Sequence, residues 1–149
     1  MTILPTLALI ATLPVGSPVT WSFSSAPAAD GSVLIELTAQ CAEGWHIYAT
    51  ELPSDEGPIA TSFRFAPSEA YKVVGELKEP VPEEQYDPNF AMTVRSHSGA
   101  PRFVLSIMPR THEPFAVDGE VEFMVCNERT CLPPVIVPFT VRVEPVLKK

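Results

Sequence analysis

The sequence predicts an all-β protein, an immunoglobulin-like sandwich of antiparallel strands, with a closed barrel as the alternative. Two observations lead to this fold class. Apolar and polar residues alternate over many short segments, as in half-buried strands, and no window of about 11 residues carries a helical stripe. The 149 residues also include 17 prolines against seven glycines, and proline is unfavourable inside helices and central strands. We therefore expect about seven to nine short strands joined by stiff loops.

Each strand is predicted from its own alternation. One example is the segment that ends at Cys41, in which Val33, Ile35, Leu37 and Ala39 share a face with the cysteine. In chain order, the predicted strands cover 19–24, 32–41, 44–50, 61–67, 102–109, 119–126 and 134–145. Asp-Gly turn signals at 28–32 and 117–120 separate neighbouring strands, because glycine accepts a positive φ.

Two segments do not predict strands. Residues 49–60 form a polar stretch, and residues 77–99 form a long, proline-containing stretch that holds Tyr86 and Phe90. A long loop with aromatic residues on a sandwich is often functional. The alternative is that the two rings only pack the loop against the domain.

Composition and charge exclude several classes of protein. The chain is 46% hydrophobic, which is enough for one folded core. A formal net charge of −8 argues against nucleic acid or an anionic membrane surface as a partner. No apolar stretch reaches the roughly 18 residues that a membrane span needs.

The first residues look like part of a targeting segment. An apolar run from Ile3 to Leu13 resembles the hydrophobic region of a secretory signal, although Pro5 interrupts it and no positive charge precedes it. We interpret 1–17 as a signal remnant or flexible leader and 18–149 as the single domain. This favours the periplasm or another extracytoplasmic location, where disulfides persist.

Two cysteines near the end of the chain are the main candidates for chemistry. Four polar residues, Asn-Glu-Arg-Thr, separate Cys126 from Cys131, and such a turn can bring two sulfurs together. A disulfide here would close a short ring worth only about 2 kcal/mol of chain entropy. A redox pair, a structural staple and half of a metal site all remain open from the spacing.

The other candidate site residues are Cys41, His46 and Tyr48. Cys41 shares an apolar face and is read as a small buried residue. A zinc site of Cys41, His46 and the Cys126–Cys131 pair would need Cys41 and His46 on one face, whereas alternation places them on opposite faces. We predict no metal and no cofactor. His46 and Tyr48 share a face, either as surface residues or as lining of the cysteine site, where an imidazole would tune a thiol.

Four segments, SPVTWSFS, GWHIYATELPSDEGPIATSFRF, YDPNFAMTVRSHSG and GEVEFMVCNERTCLPPVIVPFTV, resemble the N-terminal periplasmic domain of the thiol:disulfide interchange protein DsbD in order and spacing. The resemblance covers roughly residues 18 to 145. It implies an immunoglobulin-like sandwich with a redox-active pair at Cys126 and Cys131, of which Cys131 forms the mixed disulfides. It also implies an aromatic cap, for which Phe90 and Tyr86 are the candidates.

The resemblance further implies partners. An electron-donor domain with a thioredoxin fold would reduce the pair, and disulfide isomerases or cytochrome c maturation proteins with the same fold would accept the electrons. His46 departs from the family, which often has tyrosine there, and some members have five residues between the cysteines. We expect the chain to be either a fragment of a larger membrane protein or a stand-alone version.

The function predicted is therefore a periplasmic thiol–disulfide exchange module, in effect a protein-disulfide reductase component. Arg129, between the cysteines, could stabilise a thiolate or be an ordinary solvated turn residue. The alternative function is a non-catalytic binding module in which the disulfide is structural, because an immunoglobulin-like fold does not determine an activity.

Overall fold

The computed structural model describes residues 16–145. Within that range the regular elements are eleven strands. They are β1 (Val19–Pro27), β2 (Val33–Cys41), β3 (His46–Tyr48), β4 (Ser62–Phe65), β5 (Tyr71–Lys78), β6 (Glu83–Asp87), β7 (Met92–His97), β8 (Arg102–Pro109), β9 (Phe115–Phe123), β10 (Val125–Cys126) and β11 (Val135–Val143). Between residues 16 and 145 there is no helix long and apolar enough to cross a bilayer.

The strands form three antiparallel sheets. The first has the order β1-β2-β8-β5, the second β10-β3-β7-β6 and the third β11-β9-β4. The alternate residues of β2, from Val33 to Ala39, are buried, as are those of β11, from Val137 to Val143. Both sets belong to one hydrophobic cluster, here called the main core, so the first and third sheets pack face to face. The predicted antiparallel sandwich is confirmed.

Aromatic rings fill the middle of the main core. The Trp21 ring lies edge-on to Phe63 and Phe123, with ring centroids 5.7 and 5.5 Å apart, and tilted against Phe103 at 6.0 Å. Such pairs add roughly 0.5–1.5 kcal/mol each to the stabilisation from burial. The apolar side chains of the first predicted strand, Trp21 and Phe23, are therefore the ones that face the main core.

The second sheet positions the cysteine pair, because its two faces meet different clusters. Ile47 of β3 and Val125 of β10 belong to the main core. On the opposite face lies a smaller group, here called the site cluster, which consists of buried Tyr48, Val94, Met124 and Cys126 with partly buried Leu52, Phe90, Met92 and Cys131 packed against it. Side chains alternate between the two faces of a strand, so neighbouring residues of β3 and β10 face the main core and the disulfide in turn.

Two sequence predictions are wrong. The segment 77–99 is not one loop, since it contains the β6–β7 hairpin, and β5 before it was not predicted. The pattern is hidden because β6 is exposed from Glu83 to Tyr86 and shows no apolar alternation. The Asp-Gly pair in 117–120 is not a turn either, and lies within β9.

Gly119 has a packing reason to be glycine within a strand. A Cβ atom there would lie 2.3 Å from the Arg64 carbonyl oxygen and 2.6 Å from Cζ of Phe139. The glycine therefore marks a close approach of backbone and ring, as isolated strand glycines often do. The glycine of the Asp-Gly pair is therefore explained by close packing and not by a turn.

Other predictions about connections hold. At 28–32, Gly31 has a φ of 89° and Ser32 donates its backbone N–H to Asp30 Oδ1 over 3.0 Å, so the turn is confirmed. Residues 49–60 contain no strand, as predicted. The proposed leader 1–17 lies almost wholly outside the described residues.

Candidate functional site

Cys126 and Cys131 form a disulfide across a tight turn. Their Cα atoms are 4.0 Å apart and their sulfurs 2.00 Å apart. Asn127 organises the turn, because its Oδ1 accepts the backbone N–H groups of Arg129 and Thr130 over 2.9 and 2.8 Å. The backbone N–H of Asn127 in turn donates to the Thr130 carbonyl over 2.9 Å. We call residues 126–131 the disulfide turn.

The two sulfur-bearing residues differ in access. Cys126 is 0% exposed and belongs to the site cluster, whereas Cys131 is partly exposed and packs at the margin of that cluster. We therefore expect an incoming thiolate in solution to reach Cys131 first, which would make Cys126 the leaving sulfur. The individual redox roles stay predictions.

The turn between β6 and β7 lies beside the disulfide turn. In this cap turn, residues 87–92, the Phe90 ring packs against the site cluster and meets Tyr48 edge-on, with ring centroids 6.3 Å apart. Asn89 Nδ2 donates to the Asn127 carbonyl over 2.8 Å and joins the two turns. Ala91 takes a φ of 53° to close the cap turn.

Tyr86 and Arg129 occupy different positions from Phe90. Tyr86 is 67% exposed on β6 and lies outside the site cluster. Arg129 is exposed, and its contact in the turn is made by its backbone nitrogen. Phe90 is therefore the better placed of the two cap candidates.

A three-residue polar group borders the site cluster. The Tyr48 hydroxyl donates to Asp87 Oδ2 over 2.5 Å, and His46 Nε2 lies 3.1 Å from that hydroxyl. His46 Nε2 is also 3.7 Å from Asp87 Oδ2. Burial lowers the pKa of His46 below its ordinary value of 6.5, and the Asp87 charge opposes that shift. Burial raises the pKa of Tyr48, and Asp87 raises it further, so the phenol stays protonated.

An open cleft of about 440 Å³ leads to this polar group. Its walls come from the second sheet and both turns. It is lined by Gly44, Trp45, His46, Glu83, Gln85, Tyr86, Asp87, Pro88, Val94, Ser96, Ser98, Asn127 and Glu128. The cleft gives His46 a route to solvent, while Tyr48 behind it is fully buried.

Cys41 is not part of the site cluster, although its thiol hydrogen-bonds to the backbone of Ile47 in β3. It pairs with Val19 at the end of β2 in the first sheet and packs against the main core. Burial raises the pKa of its thiol to about 11, which makes it a poor nucleophile. Across residues 16–145 no group of three His, Cys, Asp or Glu side chains is arranged to hold a metal ion.

Sequence reasoning missed Asp87 and Asn89. Asp87 is 4% exposed and holds Tyr48, and Asn89 joins the two turns. The available signal was weak: a carboxylate and an amide lie on either side of Pro88, between the two aromatic cap candidates. Their partners are distant in sequence, so spacing alone could not identify them.

Three comparisons place this arrangement among known proteins. A family model described as the N-terminal domain of the thiol:disulfide interchange protein DsbD matches residues 14–140. No curated protein sequence matches the chain. Several solved structures do match, each at 17% identity, which supports a shared fold.

The first of these structures is the reduced DsbD N-terminal domain of Neisseria meningitidis, with a TM-score of 0.56, 90% of this chain covered and 95% of that one. The N-terminal periplasmic domain of ScsB from Proteus mirabilis gives a TM-score of 0.58 over 89% of this chain, which spans only 49% of that one. A complex between the DsbD and PilB N-terminal domains of Neisseria meningitidis gives a TM-score of 0.54, with 89% of this chain and 92% of that one covered.

The fold of these neighbours agrees with the immunoglobulin-like sandwich predicted from strand alternation. The family match covers most of the chain, including both bonded cysteines, the cap turn and the polar group behind them. The resemblance seen in the sequence is confirmed. The chain belongs to the family of DsbD N-terminal domains.

Proposed function

We propose that this protein is an extracytoplasmic thiol–disulfide exchange module that passes reducing equivalents through Cys126 and Cys131. The observation that supports this best is the unequal access of the two bonded residues, since Cys126 is fully buried and Cys131 is partly exposed. A bond with one accessible sulfur directs attack to a defined atom. The exchange unit in this proposal is the predicted domain 18–149.

The reaction is a sequence of two thiolate attacks. A thiolate of a reduced donor attacks Cys131 Sγ, the bond to Cys126 breaks and its electron pair remains on Cys126 Sγ. The donor's second thiolate then attacks its own sulfur in the mixed disulfide and releases Cys131 as a thiolate. The donor is thereby oxidised by two electrons, and the module holds two reduced cysteines. The same steps in reverse reduce an acceptor disulfide.

The partners in this proposal are thioredoxin-fold proteins, one as donor and others as acceptors of the disulfide isomerase or cytochrome c maturation type. One neighbour is a DsbD N-terminal domain in a complex with a PilB N-terminal domain, and another, from ScsB, is a periplasmic domain. These relatives support both the class of partner and a periplasmic location. Phe90 would restrict access to the disulfide until a fitting partner displaces the cap turn.

A redox titration tests the proposal. The purified protein is equilibrated in buffers of stepped potential, free thiols are alkylated and the mass is measured, with Cys41 as the internal reference. We expect a midpoint between about −180 and −270 mV, the range of exchange proteins. A pair that stays oxidised well below about −300 mV is a structural disulfide, and the non-catalytic binding module becomes the better reading.

A trapping experiment tests which sulfur reacts. In Cys126→Ser, the remaining Cys131 thiol should accumulate a stable mixed disulfide with a thioredoxin-fold protein that lacks its second active-site cysteine and carries a thionitrobenzoate leaving group on the first. Cys131→Ser, which leaves only the buried sulfur, should trap far less. Equal trapping by the two variants would contradict the assignment of Cys131 as the attacking residue.

A further inference from the structure

We propose that His46 is the acid–base residue for the buried thiol of Cys126, with imidazole Nδ1 as the atom that takes up and returns its proton. This inference rests on the proposed exchange function and adds a specific step to it. It stands on strand register, on the hydrogen bonds of the polar group and on the cleft.

Strand register places the two residues directly opposite each other. β10 pairs with β3 so that Cys126 faces His46 and Val125 faces Ile47. Residues opposed in an antiparallel pair lie on the same face, with Cβ atoms about 4.5–5.5 Å apart. Val125 and Ile47 both enter the main core, so Cys126 and His46 share the face of the site cluster.

The polar group determines which ring nitrogen is available. The single hydroxyl hydrogen of Tyr48 is donated to Asp87, so the 3.1 Å contact requires His46 Nε2 to carry a hydrogen and donate it to Tyr48 Oη. In the neutral ring Nδ1 is then the unprotonated nitrogen, which is the one that can act as a base. An aspartate acting through a tyrosine thus fixes the tautomer, as carboxylates do for other functional histidines.

The surroundings suit proton transfer between a buried group and water. The His46 side chain is 20% exposed and lines the cleft, whereas Cys126 is 0% exposed. The lowered pKa of His46 keeps the ring neutral and able to accept a proton at pH 7. The other titratable groups around His46 are Tyr48 on its own strand, Asp87, Glu83 and Tyr86 on β6, Cys126 on β10 and Glu128 in the disulfide turn.

The exchange chemistry gives such a group a role at Cys126. When Cys131 has attacked an acceptor disulfide, Cys126 is a buried thiol that must lose its proton before it can attack Cys131 Sγ. His46 Nδ1 takes the proton, the Cys126–Cys131 bond forms, and the mixed disulfide breaks with its electron pair on the acceptor sulfur. In the opposite direction Cys126 leaves as a thiolate, which burial disfavours, and the His46 imidazolium returns the proton.

The test follows the step in which Cys126 attacks. Reduced protein is mixed with glutathione disulfide between about pH 4.5 and 8.5, quenched with acid, and the Cys131–glutathione adduct is counted by mass. We expect adduct decay in the natural protein to rise through an inflection below pH 6.5, the ordinary pKa that burial lowers. In His46→Gln, whose amide can still donate to Tyr48, that inflection should vanish and decay should slow about 100-fold.

Two further variants separate chemistry from packing. His46→Tyr keeps an aromatic ring against Tyr48 but has no titrating nitrogen, and it should behave as His46→Gln does. His112→Gln removes an exposed histidine and should leave the profile unchanged. If the pH profile of His46→Gln superimposes on that of the natural protein, the inference is wrong.

A second readout does not depend on the exchange function. The three histidines are titrated by NMR in the disulfide form and in the chemically reduced form, with signals assigned from the variants. The pKa of His46 should differ between the two forms because only the reduced form has a proton on Cys126, and the exposed His112 serves as the control signal. If the redox titration indicates a structural disulfide but the pKa of His46 still differs between the two forms, the proposed exchange function is wrong and the inference about His46 stands. An unchanged His46 pKa would overturn the inference.

Discussion

Phe90 is the residue through which the cap turn meets the disulfide. Its backbone N–H donates to the Asp87 carbonyl over 3.3 Å, and its ring packs edge-on against Tyr48 within the site cluster. A half-buried ring held by one loop is easier to displace than a residue of the main core, because loops open at lower free energy than core strands. We therefore expect Phe90 to shield the disulfide and to be displaced when a partner binds.

Truncation of this ring should make the disulfide more reactive toward small thiols. We expect reduction of Phe90→Ala by dithiothreitol to be about tenfold faster, which corresponds to roughly 1.4 kcal/mol of lost cap packing. The rate is measured by alkylation and mass. Tyr86→Ala is the matched control, since Tyr86 is exposed and outside the site cluster. Unchanged reduction of Phe90→Ala would eliminate the cap role.

At the scale of elements, two connections hold the second sheet in place. The cap turn is tied to the disulfide turn by the bond from Asn89 to the Asn127 carbonyl. On β7, His97 Nε2 lies 2.9 Å from Glu79 Oε2, and Thr50 donates its backbone N–H and its hydroxyl to the same carboxylate over 3.2 and 2.7 Å. This Glu79 clamp joins the end of β5 to the loop after β3.

Loss of the bond between the turns should loosen the cap without removing its ring. Asn89→Asp lacks the Nδ2 donor and should cost about 1 kcal/mol of cap closure. Its disulfide should therefore be reduced faster than that of the natural protein. Pro88→Ala, a change in the same turn that removes no donor, serves as the control for loop effects. Equal reduction rates for Asn89→Asp and the natural protein would show that this bond does not hold the cap.

The Glu79 clamp makes stability depend on pH in a defined direction. Burial alone would raise the pKa of Glu79, but hydrogen bonds from His97 and Thr50 outweigh it and hold that pKa below 4.5. The folded state thus favours the ionised form, so this stabilisation is present above pH 4.5 and is lost as the pH falls through the folded-state value.

We expect Glu79→Gln to lower the free energy of unfolding by about 1–3 kcal/mol at pH 7, since His97 and Thr50 lose a charged partner. The difference from the natural protein should shrink below pH 4.5, because the Glu79 carboxylate is then protonated first in the unfolded chain and, at lower pH, in the folded protein as well. Urea denaturation at pH 7 and at pH 4 measures both values. Glu51→Gln, an exposed change in the same loop, should have little effect at either pH. If the free energies of unfolding of Glu79→Gln and the natural protein differ by the same amount at pH 7 and pH 4, the Glu79 charge has no such role.

At the scale of the whole molecule, the sequence predicted the fold class because the first and third sheets each bury one face. It missed β6 because Glu83–Asp87 is an edge strand that is exposed except at its last residue. The partners of the site residues were also beyond the sequence. The opposition of His46 and Cys126 comes from pairing between strands that are about 80 residues apart. Single-strand periodicity reports which face a residue is on, but not which strand lies beside it.

The tight packing around Gly119 in the third sheet predicts a large loss of stability when a single methyl group is added there. Gly119→Ala should lower the free energy of unfolding by about 3 kcal/mol, because its Cβ would collide with the Arg64 carbonyl and the Phe139 ring. Gly44→Ala has open space but a φ of 85°, and should cost only about 1 kcal/mol. Thermal or urea denaturation compares them. A Gly119→Ala protein as stable as Gly44→Ala would show that the strand can shift to relieve the contact.

The second sheet keeps the disulfide on one side and the main core on the other, and this division has a mechanical consequence. Breaking the bond between Cys126 and Cys131 removes a link only on the face of the site cluster, while Ile47 and Val125 anchor the same two strands in the main core from the opposite face. The domain can therefore alternate between its oxidised and reduced forms many times with the bulk of its framework undisturbed. Under the proposed exchange function, we expect a change of rigidity on reduction to be confined to the disulfide turn and the cap turn, which are the surface that a partner would contact.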